Sequence, residues 1–134
     1  MHAGRRIPSE NEVMILDRNE LRAYCLSQPS AVEDFPFGDD VAVFKVIGKV
    51  FALLPVGGTP QISLKCDPNL AMMLRETYPT VTPGYHLNKK HWNTVDVDGS
   101  IPDDEIKEMI EHSYAQVVKG LSKAEREQLK AGKS

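Results

Sequence analysis

The fold class this sequence predicts is α+β: a mainly antiparallel five-stranded sheet, element order α-β-β-β-α-β-β-α, with the helices on one face. Three observations predict it. Gln61 to Cys66 alternates cleanly, with Ile62, Leu64 and Cys66 on one side and Gln61, Ser63 and Lys65 on the other. That period belongs to a strand with one buried and one wet face. Between Pro102 and Gly120 apolar residues recur at helical spacing (Ile106, Met109, Ile110, Tyr114, Val117, Val118), a broad stripe for packing on a sheet. All strand connections but one are too short for a parallel crossover, which makes the pairing antiparallel.

The elements follow in order. Residues 1 to 15 show no period and read as a flexible tail ahead of a single domain spanning 16 to 121; residues 122 to 134 read as a charged extension. Asp17 to Gln28 is the first helix. Asp17 caps it and Glu20 stands three residues on, a capping-box arrangement, while Leu21, Tyr24 and Cys25 share the inner side. Pro29 ends it. Ala31 to Asp40 reads as a loop whose Phe35 and Phe37 tuck beneath the sheet edge.

Val41 to Ile47 and Val50 to Leu54 are strands joined at Gly48-Lys49, a type II′ turn by its glycine. Gly57-Gly58 turns the chain into the alternating strand. Asp67 caps the second helix and Pro68 occupies its first position, where a missing N–H costs nothing. Its inner stripe is Leu70, Met73, Leu74 and Thr77, with Met72 and Met73 filling core gaps; Tyr78-Pro79 closes it. A hairpin follows, with Tyr85 to Leu87 running up, Asn88 to His91 turning and Trp92 to Val97 running down. Asp103, Asp104 and Glu105 favour the dipole at the start of the long helix, and Ser122 to Lys130 forms a short charged terminal helix.

Composition sets bounds on function. With 134 residues, 41% hydrophobic and 26% charged, the chain is long enough for one real core. No apolar run approaches the ~20 residues of a membrane span, and no apolar segment follows Arg5 and Arg6 to make a signal peptide. A cytoplasmic protein with free thiols at Cys25 and Cys66 is the expectation. The net charge of −3 repels nucleic acid at long range, so any such binding needs a local basic patch. Charge is in fact uneven. Val81 to Asn93 carries two Lys, two His and no acid, whereas Gly99 to His112 carries five acids against one Lys.

On the face opposite the core, Lys65 joins Trp92, the only Trp, together with Thr94 and Asp96. With His86, Lys89 and Lys90 they compose a patch suited to phosphate neutralisation and base stacking. The plain alternative is a solvated basic turn beside a Trp that covers an edge, and composition alone favours it. His86 and His91 lack a third partner at metal-ligand spacing, so no metal site is expected. Cys66 alternates with Leu64 as a buried, inert thiol. No phosphate loop, dinucleotide fingerprint or nucleophile elbow is present, so neither a cofactor nor enzyme activity is expected.

The run Thr82-Pro83-Gly84-Tyr85-His86-Leu87-Asn88-Lys89-Lys90-His91-Trp92-Asn93 resembles the signature of the MmcQ/YjbR family. So do Glu33 with Pro36-Phe37-Gly38, Phe44-Lys45, Leu64-Lys65-Cys66-Asp67-Pro68 and His112-Ser113-Tyr114, covering roughly Asp17 to Leu121. The resemblance implies a compact domain like the bacterial frataxin homologue or the secretion chaperones. It also implies double-stranded DNA as partner, held by two hairpin wings. Carried onto this chain, the wings are the Gly48-Lys49 and Asn88–His91 turns. The contacts are Lys45, Lys49, Lys65, His86, Lys89, Lys90, His91 and Trp92. That label rests on fold analogy, and a pI of about 5.8 runs against tight nonspecific binding. Two other readings stand beside it: a protein-interaction or chaperone-like module using the open face and Trp92, and a small-molecule binder using Tyr85, His86 and His91. A monomer or weak dimer without membrane contact is expected.

Overall fold

The computed structural model describes residues 16–84 and 87–132. In chain order the elements are α1 (Arg18–Leu26), β1 (Ala31–Asp34), β2 (Val41–Val46), β3 (Lys49–Pro55), β4 (Gln61–Lys65), α2 (Pro68–Thr77), β5 (Val81–Pro83), β6 (Trp92–Asp96), α3 (Asp103–Lys119) and α4 (Lys123–Ala131). The strands form one antiparallel sheet in the order β1-β2-β3-β4-β6-β5. The α+β class and the antiparallel sheet are as expected from the sequence; the strand count is six rather than five. The predicted tail at 1–15 lies outside the described residues.

Three helix starts follow local chemistry. Asp17 accepts from the Glu20 N–H at 2.8 Å while the Glu20 carboxylate accepts from the Asp17 N–H at 3.0 Å. Asp67 accepts from Asn69 and Leu70 ahead of Pro68. Ser122 and Glu125 form a second reciprocal capping box before α4. α1, α2 and α3 cover one face of the sheet. Beneath them lie Leu21 and Cys25 of α1, Phe44 and Val46 of β2, Ile62 of β4, Val95 of β6, and Ile106 and Ile110 of α3. Phe51 meets the Tyr114 ring edge-on, with centroids 5.4 Å apart. The Cys25 and Cys66 thiols are free and buried, and burial pushes them up to about 12 and about 11.

The departures from the sequence reading have identifiable causes. Ala31–Asp34 is a strand, not a loop, because β2 offers it a full four-residue register from Ala31↔Val46 to Asp34↔Val43. Pairing, not pattern, makes this strand, and it leaves Phe35 and Phe37 outward at 42% and 73% exposure instead of beneath the edge. The β2–β3 turn is centred on Ile47-Gly48, not Gly48-Lys49. Both have positive φ (48° and 76°), and Val46 pairs with Lys49. Two positive φ values mark a type I′ turn, with an isoleucine in a region β-branched residues avoid.

On α2, Ala71 is the fully buried position, while Met72 and Met73 are exposed rather than core-filling. The helix meets β6 at Ala71, whose side chain is fully buried and whose carbonyl accepts from Asn93 Nδ2 at 3.4 Å. Finally, the strand entering the hairpin is Val81–Pro83, paired with Val95, Thr94 and Asn93. It lies earlier than the predicted Tyr85–Leu87. Of that segment, Tyr85 and His86 lie outside the described residues, and Leu87 donates to the Gly84 carbonyl in a turn.

The β3–β4 ladder is short, with Ala52↔Leu64 and Leu53↔Ser63 as its register pairs. A bulge at Phe51 interrupts the neighbouring β2–β3 register, since Phe44 pairs with Ala52 and Lys45 with Val50. Beyond Leu64 the α3 side chain of Ser113 takes over. Fully buried, it donates to the Phe51 carbonyl at 2.5 Å and accepts from the Lys65 N–H at 2.8 Å. One residue earlier, His112 Nε2 accepts from the Asp67 N–H at 3.2 Å. The long helix therefore completes the sheet's hydrogen bonding at the end where the candidate site lies.

Candidate nucleic-acid interface

Asn88 to His91 forms a tight turn. The Asn88 side chain accepts from the Lys90 N–H at 3.0 Å, and its carbonyl accepts from the His91 N–H at 3.1 Å. This is an Asx-type arrangement, which fixes the turn locally and leaves the following side chains free. Lys89 and Lys90 are exposed at its tip. Neither makes an ion pair among the described residues.

Three tethers hold the turn to the body. The Cys66 N–H donates to the His91 carbonyl at 2.7 Å, extending the β4–β6 pairing. The Gly84 N–H donates to the Trp92 carbonyl at 2.8 Å. Arg75 of α2 reaches across, with Nε on Asn93 Oδ1 at 2.7 Å and Nη2 on the carbonyls of Lys89 and Trp92, the latter at 3.3 Å. A guanidinium suits this role because its planar fork addresses several acceptors at once. Arg75 is the residue the sequence reading missed. No motif marks it, and its partners lie 14 to 18 residues away.

Gly84 is buried against this turn. A Cβ there would stand 2.8 Å from Trp92 Cβ and 3.2 Å from the Trp92 carbonyl oxygen. Gly84→Ala therefore forces Trp92 and the turn outward, with an expected loss of about 1–2 kcal/mol from overpacking. Chemical denaturation together with the Trp92 emission maximum checks this. An unchanged midpoint and maximum would mean the hairpin yields freely.

Lys65 pairs directly with Trp92 in the β4–β6 register, and both are half-buried on the face away from the helices. The same face carries Ser63 hydrogen-bonded to Thr94 at 2.9 Å and Gln61 donating to Asp96 at 2.9 Å. Antiparallel alternation puts the start of β3, the end of β4 and the start of β6 at one end of the sheet. Lys49, Lys65, Lys89, Lys90, His91 and Trp92 gather there. The axes of β3 and β6, two strand spacings apart, are separated by about 10 Å. Lys45 is on this face too, but it is engaged, with Nζ 2.9 Å from Asp34 Oδ2; that contact holds the Asp34 carboxyl below its ordinary range. Lys49 stands near Glu125 of α4. His86 lies outside the described residues. Among the described residues no group of three His, Cys, Asp or Glu is placed to hold a metal ion, and no helix is long and apolar enough to cross a membrane.

The model of the YjbR family matches residues 26–116, which hold β1 to β6 and most of α3. The chain belongs to the YjbR family. It is 38% identical over 112 residues to the uncharacterized protein YjbR of Escherichia coli K12, covering 83% of this chain and 95% of that one. The uncharacterized protein YbdF of Escherichia coli O157:H7 is 38% identical over 99 residues, 73% of this chain and 81% of that one. Among solved structures, a Deinococcus radiodurans protein superposes with a TM-score of 0.78 at 42% identity, covering 83% of this chain and 86% of that chain. A Pseudomonas syringae protein superposes at 0.66 with 31% identity, covering 75% and 98%. The family resemblance read from the Thr82–Asn93 run is a true one, and the run contains the turn that Arg75 anchors.

Proposed function

We propose that this YjbR-family protein binds nucleic acid, with the Asn88–His91 turn as its basic wing and the Lys65–Trp92 pair as the adjoining floor. The observation that carries this reading is the pair of exposed lysines, without an ion pair among the described residues, at a turn braced by Asn88 and Arg75. A braced turn presents its charges at little entropic cost on binding. Phosphate contacts from Lys89 and Lys90 supply sequence-independent affinity, and the indole of Trp92 offers a surface for a base or sugar. The Ile47-Gly48 turn, with Lys49 beside it at the same end of the sheet, serves as the second wing. The overall negative charge makes the attraction local, and binding is correspondingly modest at physiological salt.

The test is fluorescence anisotropy of a labelled duplex across a salt series, for the native protein and for Lys89→Ala/Lys90→Ala. Binding that weakens with salt is expected. The double substitution should lower affinity alike across sequences and reduce the slope of log K against log salt by about 1.8, since each neutralised phosphate contributes ~0.9. Binding indifferent to salt or to the substitution would overturn the reading and direct attention to a protein partner for this face.

A further inference from the structure

On the other side of the sheet, α2 and α3 do not close on each other. Between them runs a groove of about 400 Å³ over β4 and β6. Leu64 and Val95 form its floor, Leu70 and Leu74 one wall and Met109 the other, with half-exposed Met73 at the mouth. The volume falls in the range of small-ligand sites, and the lining is of their usual kind, largely apolar with a few polar groups. None of these residues belongs to the wing or to the Lys65–Trp92 face.

The polar groups around the groove are not equivalent. Asn93 is already engaged, accepting from Arg75 and donating to the Ala71 carbonyl. His112 Nε2 is taken by the Asp67 N–H. Glu105 and Glu108 stand one helical turn apart on the α3 lip. The Tyr78 hydroxyl donates to Glu105 Oε1 at 2.5 Å and holds that carboxylate in place, which raises the Tyr78 hydroxyl above its ordinary range. Neither carboxylate makes an ion pair among the described residues. Lys65 is the one Lys or Arg among the lining residues, and its register places its side chain with Ser63 and Trp92 on the opposite face.

An apolar slot with two carboxylates at one lip, neither in an ion pair among the described residues, is complementary to a molecule with an apolar body and a cationic head. The geometry points to a binding site for a small hydrophobic amine in the α2–α3 groove. The hydrocarbon lies over Leu64 and Val95 between Leu74 and Met109, and the ammonium sits between Glu105 and Glu108. Apolar burial supplies affinity, and the two charge-assisted hydrogen bonds select an amine over an acid of the same length. This site is separate from the nucleic-acid reading, and its test contains no nucleic acid.

The probe is n-octylammonium, with n-octanoate as its charge-reversed match, both below their micellar range. Binding to the full chain is read by calorimetry and by the methyl signals of labelled methionines. Saturable octylammonium binding is expected, with shifts at Met73 and Met109, which line the groove. Glu105→Gln/Glu108→Gln should weaken it about tenfold or more, and octanoate should fail to bind. Met73→Trp, at an exposed mouth position, should block the groove without touching the core. A melting curve for each variant separates lost binding from lost folding. Octanoate binding as tightly as octylammonium, indifference to the carboxamide pair, or no saturable binding would each overturn the proposal.

Discussion

Ser113→Ala is expected to destabilise the protein by about 3 kcal/mol and to lower its melting temperature by roughly 10 °C. The side chain is small and the methyl left behind fits, so packing is not the cause. The hydroxyl bridges the Phe51 carbonyl and the Lys65 N–H where the β3–β4 ladder stops. Its removal strands one buried acceptor and one part-buried donor, each costing about 1–3 kcal/mol when left unmade. Denaturant unfolding gives the stability change, and amide exchange at Lys65 gives its location. Exchange there should quicken more than at Ser63, whose strand register is unaffected. A loss below about 0.5 kcal/mol would show that β3 and β4 close the gap themselves when the helix releases them.

Arg75→Ala carries the second large effect, about 2–3 kcal/mol, because hydrogen bonds from a charged donor are among the stronger ones. It differs from Ser113→Ala in where the damage falls. Asn93, at 3% exposure, loses the partner of its Oδ1, while the carbonyls of Lys89 and Trp92 lose their tie to α2. The turn should loosen, with faster amide exchange at Lys90 and His91. Duplex affinity should fall although neither wing lysine has changed. Arg75→Lys should not restore it, since one ammonium cannot span the three acceptors. Unaltered exchange in the turn would show that Asn88 and the Cys66 N–H suffice to hold it.

A gentler pH effect accompanies these. Arg22 hydrogen-bonds the Glu33 carboxylate and holds it below the ordinary carboxylate range. A depressed carboxyl contributes stability above its unfolded value and loses it as pH falls through its folded value. The α1–β1 contact therefore weakens in acid. It is exposed on the arginine side, so the contribution is small.

How much of this was legible follows from the range of each interaction. Asp17 with Glu20, Asp67 with Pro68 and the run of α3 were readable because a helix start or an apolar stripe depends on residues three or four apart. The alternation of Gln61 to Cys66 was readable because β4 lies in the sheet with one face on the core, and the same alternation put Lys65 and Trp92 on one face. The twelve-residue hairpin run pointed to the family because its mixed chemistry lies close together along the chain, within the residues that the family model matches. Ala31–Asp34 was not readable, because an edge strand of four residues exists through its partner: nothing in AVED alternates apolar and polar, and β2 supplies the register. The turn at Ile47-Gly48 was misplaced by one residue because β2–β3 pairing, not the glycine alone, sets which two residues are central.

The sequence by itself determined the helix caps, the apolar faces, the family and the lysines of the Asn88–His91 turn, all carried by neighbours along the chain. Tertiary structure decided what those parts do together. Ser113 reaches backbone groups 48 and 62 residues away, and Arg75 braces a turn that begins 13 positions downstream, across a helix-to-hairpin gap that no periodicity encodes. The groove between α2 and α3 is likewise a matter of how closely two helices approach. Two contacts far apart in sequence accompany it: the Ala71 carbonyl with Asn93 Nδ2, and the Tyr78 hydroxyl with Glu105 across the two helices.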